Sequence, residues 1–107
     1  MTEHDLQSLI RLRLSEAGVV LRLNVGRVRT ADGRWFDTGL PPGTPDLMVV
    51  LPGGRTAWIE VKTPRGAVRP EQARFLRRLQ EMGHAAGVAR SVQEAETIIQ
   101  GGNIHGL

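Results

Sequence analysis

Apolar residues recur along the chain with two periods, and each change of period marks an element. Leu6, Leu9, Ile10, Leu14 and Ala17 fall at helical spacing. Thr2 with Glu3, His4 and Asp5 resembles a capping box, with Asp5 at the third helical position, and Gly18 is a natural stop. The period then shortens. "VVLRLNVGRVR" (19–29) is rich in β-branched and apolar residues and partly alternates, which predicts a strand. "ADG" (31–33) signals a tight turn, so Arg34, Trp35 and Phe36 predict a returning strand. "DTGLPPGTP" (37–45) is a loop, with three prolines and two glycines. Asp46 then opens an apolar run to Leu51, the pattern of a strand buried on both faces. "PGG" turns the chain, and Thr56 to Lys62 runs back.

"TPRGAVRP" (63–70) is a second loop, and Pro70 suits a first helical turn. Phe75, Leu76, Leu79 and Met82 form the apolar stripe of a second helix that Gly83 ends. "HAAGVAR" (84–90) predicts a short strand, and Ser91 with Glu94 caps a last helix through Gln100. Helix, about three strands, helix, strand, helix is the order of an α/β fold: a central mixed sheet flanked by helices. We expect one domain over residues 1–100 and a flexible tail over 101–107, with no internal repeat. No apolar run approaches the ~20 residues of a membrane helix, and no signal-peptide pattern opens the chain. The expectation is a soluble cytoplasmic protein with no membrane partner.

Composition changes this picture at one point. The chain carries no cysteine, which excludes disulfides and thiolate metal sites. Its net charge is +3, and thirteen of its fourteen basic side chains are arginine, the pattern a GC-rich genome alone produces. The isoelectric point near 11 follows from those arginines, and a modest positive excess is compatible with nucleic acid. The single lysine is Lys62, in "TAWIEVKT" (56–63). A codon bias that replaced every other lysine left this one.

Alternate strand residues share a face, so Trp58, Glu60 and Lys62 point one way and Ala57, Ile59 and Val61 the other, towards a core. If 46–51 and 56–62 form a hairpin with Leu51 near Thr56, Asp46 lies opposite Glu60 or Val61. Directly opposed residues have Cβ atoms ~5 Å apart. Two carboxylates that close repel unless a cation sits between them, and an all-oxygen pair suits Mg²⁺ or Mn²⁺. Lys62 on the same face is a compact charge that can approach a phosphate where a planar guanidinium is too bulky. Taken alone, Glu60 and Lys62 read equally as a cross-strand ion pair, and Asp46 as turn chemistry. Gln72 falls on the sheet-facing side of the second helix in its first turn, either beside this site or bonded to the helix terminus. Arg74 and Arg78, with Arg77 adjacent, cover the solvent side of that helix, and Arg65 and Arg69 lie in the loop before it. Such a cluster can track phosphates or be a solvated face. The three histidines have no ligand spacing.

"GTPDLMVV" followed by "WIEVK" resembles the PD-(D/E)XK nuclease signature, and the chain is similar to a stand-alone virus-type replication-repair nuclease (VRR-NUC) domain. "EHDLQ", "NVG" (24–26) and "RGAVRPEQ" carry that narrower resemblance, which runs from Glu3 to about Val92. It implies a restriction-endonuclease-like αβββαβ core and Mg²⁺- or Mn²⁺-dependent hydrolysis of DNA phosphodiesters. It implies Asp46, Glu60 and the Val61 carbonyl as metal ligands, Lys62 as the catalytic lysine and Gln72 as the helix-two glutamine. Glu3 is the implied helix-one acid, with Asp5 the alternative. One departure is Arg69-Pro70, where relatives often have a serine before the helix. Small relatives resemble Holliday-junction resolvases that act as homodimers on branched DNA in a bacterial or phage-infected cell, with helix one or "LPPGTP" offering an interface. Rival readings are a flap or nicking nuclease of the same superfamily, a non-catalytic DNA-binding module, and a small α/β structural protein.

Overall fold

The first helix begins where Thr2 turns its hydroxyl inward. Thr2 Oγ1 accepts from the Asp5 N–H at 3.1 Å, and Asp5 Oδ2 accepts from the Thr2 N–H at 3.1 Å. This reciprocal box starts α1 (Glu3–Leu14), which buries Leu6, Ile10 and Leu14. A computed structural model of the chain describes residues 1–101. Of the expected tail over 101–107, only Gly101 is described.

The strand expected over 19–29 divides in two. β1 (Val19–Arg22) joins the central sheet, and β2 (Arg27–Arg29) pairs instead with β3 (Trp35–Asp37) in a separate two-stranded sheet. The break falls at Gly26, whose φ of +95° is a conformation that β-branched residues resist and alternation does not reveal. β4 (Leu47–Leu51), a 3-10 turn over Pro52–Gly54 and β5 (Arg55–Val61) form the expected hairpin. β4 is not buried on both faces. Leu47, Val49 and Leu51 are buried, Met48 is half-buried and Val50 is 41% exposed. A second helix layer would have to cover Val50; α2 packs instead against β6.

α2 (Pro70–Glu81), β6 (Ala85–Ala89) and α3 (Val92–Ile99) complete the chain. The central sheet runs β1-β4-β5-β6, with β5 and β6 parallel and the other pairs antiparallel. This is the mixed sheet expected, in the order αβββαβα once the β2–β3 hairpin is set aside. One core cluster joins α1 and α3 to Leu47, Val49, Ala57, Ile59 and Val61. A second joins Leu76 and Leu79 of α2 to Ala86, Val88 and the half-buried Trp58. Burying these side chains is the main favourable term for the fold. Met82, expected in the α2 stripe, is exposed past the helix end. Among the described residues, no helix is long and apolar enough to cross a membrane.

Candidate active site

The hairpin register brings the two acids together. Leu51 pairs with Arg55 and Leu47 with Ile59, so the next pair outward is Asp46 with Glu60, one residue from the Leu51–Thr56 pairing expected. Asp46 Oδ2 accepts from the Val61 N–H at 2.9 Å, which fixes its carboxylate over the end of β5. Glu60 is only 3% exposed, and its Oε2 is buried with no hydrogen-bond partner among the described residues. Burial pushes the Glu60 carboxyl up to about 9, the Asp46 carboxylate beside it adds to the shift, Lys62 opposes it, and Glu3 raises it further. Burial thus favours the protonated form of Glu60.

A buried, unpartnered carboxylate oxygen beside a second carboxylate is costly as it stands and fits a hard divalent cation. Among the described residues, no three Asp, Glu or His side chains form a ready cage. That donor set suits Mg²⁺, which keeps several waters and takes one or two carboxylates. Asp46, Glu60 and the backbone of Val61 are the groups at hand.

Lys62 follows β5 directly, and its N–H donates to the Ala89 carbonyl at 3.1 Å, which holds the chain in line with β6. Its side chain is half-buried and takes no part in the three ion pairs among the described residues. Glu3, at the first turn of α1, is near enough to act on the Glu60 charge. Asp5 is engaged with Thr2, and that hydrogen bonding holds its carboxyl below the usual range. Asp5 is thus committed to the helix cap, which leaves Glu3 as the uncommitted acid of that turn.

Gln72 is bonded to the helix terminus. Its Oε1 accepts from the Arg69 N–H at 3.0 Å, and the residue also lines a cavity of about 280 Å³ with Asp46. The Arg69-Pro70 departure costs half a cap: arginine has no side-chain acceptor, so α2 starts at Pro70 with only the Gln72 half of the box. Gly43 lets the two parts meet. At φ +90° it packs against the first turn of α2, and a Cβ there would lie 2.4 Å from the Glu71 carbonyl oxygen. "LPPGTP" is thus partly internal, with Gly43, Thr44 and Pro45 buried.

Sequence reasoning assigned no role to several residues of this cavity. Gln7 is buried on α1 one turn after Glu3, and it lines the cavity with Arg22, Asn24, Thr44 and Arg69. Gln7 and Asn24 lie within "EHDLQ" and "NVG", so the signal was there; Arg22 needed the pairing with Leu47, beside Asp46. Glu60 and Lys62 do not line this cavity. Arg90 is a second omission. Its Nη1 donates to the Thr63 and Gly66 carbonyls at 2.7 Å each and to Pro64 at 3.3 Å, clamping the loop after Lys62. Arg65, Arg74, Arg77 and Arg78 are all exposed, and Arg69 reaches into the cavity while pairing with Glu71 at 3.5 Å.

Comparison with known proteins fits this arrangement. The model of the VRR-NUC domain matches residues 1–93. The chain belongs to the VRR-NUC family. A solved structure described as a VRR_NUC domain is similar to it at a TM-score of 0.66 and 26% identity, covering 94% of this chain and 97% of that one. A search of curated proteins finds no match. VRR-NUC is a nuclease family, so the two facing carboxylates and their lysine belong to a nuclease domain, and its substrate is DNA.

Proposed function

We propose that this VRR-NUC chain is a metal-dependent, structure-selective DNA endonuclease of the Holliday-junction-resolvase kind, working as a homodimer. The observation that carries the reading is the Asp46–Glu60 pair, with its unpartnered Glu60 Oε2 and Lys62 two residues on. Asp46, Glu60 and the Val61 carbonyl would hold Mg²⁺ or Mn²⁺, which when bound polarises the phosphate and activates water. Lys62 offsets the phosphate charge and orients the attacking water, which forms the new P–O bond as the old one breaks. Its compact ammonium does this where a guanidinium fork is too broad. Gln72 and Glu3 border the site from two helix starts and hold solvent in place. Arg65, Arg69, Arg74, Arg77 and Arg78 take flanking phosphates.

The homodimer draws support from the central sheet. Val19 pairs with Val50 on the face away from α1 and α3, both are exposed, and Leu21 lies beside them. A two-fold interface there would cover apolar surface that this chain leaves open.

The test is cleavage of a labelled four-way junction, a flap, a linear duplex and a single strand, with Mg²⁺ or EDTA, beside Lys62→Ala. Paired symmetric cuts in the junction alone, lost with EDTA and in the variant, are expected. Cutting of flaps or linear DNA would keep the nuclease and discard the resolvase. Binding without cleavage in Mg²⁺ would leave only a DNA-binding module.

A further inference from the structure

The β2–β3 hairpin is the part of the chain to which the nuclease chemistry gives no role. It is an excursion between the end of β1 and the start of β4, and its base is tied next to the site. The Leu23 N–H donates to the Asp46 carbonyl at 2.7 Å, and the Thr38 N–H donates to the Gly26 carbonyl at 2.9 Å. The register sorts its side chains onto two faces. Arg27 and Asp37 pair, as do Arg29 and Trp35, on one face; Val28 and Phe36 pair on the other. Val28 lines the cavity that holds Asp46, so the second face borders the Asp46 side of the site.

Neither face is used by the core. Trp35 is 59% exposed, Phe36 56% and Val28 42%. Arg27 and Arg29 both lie over the Trp35 ring, each guanidinium 5.5 Å from its centroid. Arg34 at the turn is paired with Asp32, whereas Arg27 and Arg29 belong to none of the ion pairs among the described residues. Two exposed aromatic rings interleaved with unpaired arginines, beside a phosphodiester site, match the chemistry of a single strand: stacking for its bases and cations for its phosphates.

We propose that this hairpin is a nucleic-acid wing that stacks on base faces left uncovered at a branch point and so makes the enzyme select branched over continuous DNA. The inference rests on the nuclease reading of the adjacent site. Phe36 and Val28 meet the base nearest the cleft, and Arg27 and Arg29, held in place by Trp35, meet the phosphates. A base inside a continuous duplex is already stacked on its neighbours and gains nothing from the ring. The preference therefore arises with no reading of sequence.

Trp35 and Trp58 are the only tryptophans, so the Trp58→Phe protein reports on Trp35 alone. Titrated in EDTA with a four-way junction, its emission should shift or quench, and a linear duplex of the same sequence should change it much less. In competition binding, Trp35→Ala with Phe36→Ala should lose about tenfold for the junction and about twofold or less for the duplex. Arg27→Gln with Arg29→Gln should flatten the salt dependence of junction binding by about two phosphate contacts. If the wild type cleaves DNA but Trp35 emission stays constant on binding, the wing is overturned and the nuclease stands. If the wild type neither binds nor cuts, both fall. A junction preference retained while the aromatic double variant turns from dimer to monomer in sedimentation would make the hairpin a self-association surface, and would also overturn the proposal. Should that double variant fail to fold, the Trp35 emission still decides.

Discussion

At the residue scale, the proposed chemistry turns on three side chains at one end of one hairpin. The sole lysine stands where a point charge and an arginine fork would behave most differently. Lys62→Arg should therefore keep the fold and DNA affinity while cleavage falls by about a hundredfold or more, as when one transition-state contact is lost. Single-turnover rates beside anisotropy binding check this, and near-normal turnover would remove Lys62 from the chemistry. Glu60 makes a second prediction. Its folded pKa of about 9 stands above the ordinary 4.5, so between those values the folded state holds a proton that the unfolded chain releases. Metal-free stability should then fall as pH rises from about 4.5 to about 9, and Glu60→Gln should flatten that slope and raise the melting temperature at pH 8. Thermal melts in EDTA across that range measure it. A slope unchanged in Glu60→Gln would mean that another group carries the proton. Much of this site was legible in the sequence, because the β4–β5 turn leaves little freedom in the register and Asp46 faces Glu60 within one residue of slip. The choice of Glu3 over Asp5 was not: it depends on which acid the Thr2 cap engages.

At the element scale, helix starts and glycine turns bring the site's outer parts to the strands. α2 reaches Asp46 because Gly43 carries no side chain where the loop meets Glu71. Gly43→Ala would face both a positive φ and a 2.4 Å clash with backbone, whereas Gly39→Ala faces the positive φ alone, with open space around it. The first should cost about 2 kcal/mol or more and lower the melting temperature by about 10 °C; the second should cost about half as much. Equal losses would mean that close approach at Gly43 does not hold α2. Helix starts followed the sequence closely, since caps at Thr2 and Ser91 act within a single turn, whereas α1 ends at Leu14, short of the stop expected at Gly18. The strand over 19–29 did not. Its composition suits a strand at both ends, and only the backbone at Gly26 redirects the second half into another sheet.

At the scale of the whole molecule, five arginines lie on α2 and its leading loop, and Arg69 with Arg22 lines the cavity of Asp46, on a chain of net charge +3. Removing two of the exposed ones, Arg74→Ala with Arg78→Ala, should weaken binding alike on all sequences. The slope of log affinity against log salt should flatten by about two contacts, since each neutralised phosphate adds about 0.9. Titrations at several salt concentrations measure it, and an unchanged slope would take this face off the DNA. The sequence by itself determined the order of elements apart from the division of 19–29, the place of Asp46 opposite Glu60 or Val61, and the place of Lys62. Each follows from local rules: period, caps, turns and strand alternation. Only the tertiary structure decided that Val50 lies uncovered, that Gln7 and Arg22 join the cavity of Asp46, and that Arg90 clamps the loop after Lys62. It alone set Trp35 and Phe36 outside the core, because burial depends on which layer packs against which and no local pattern encodes that.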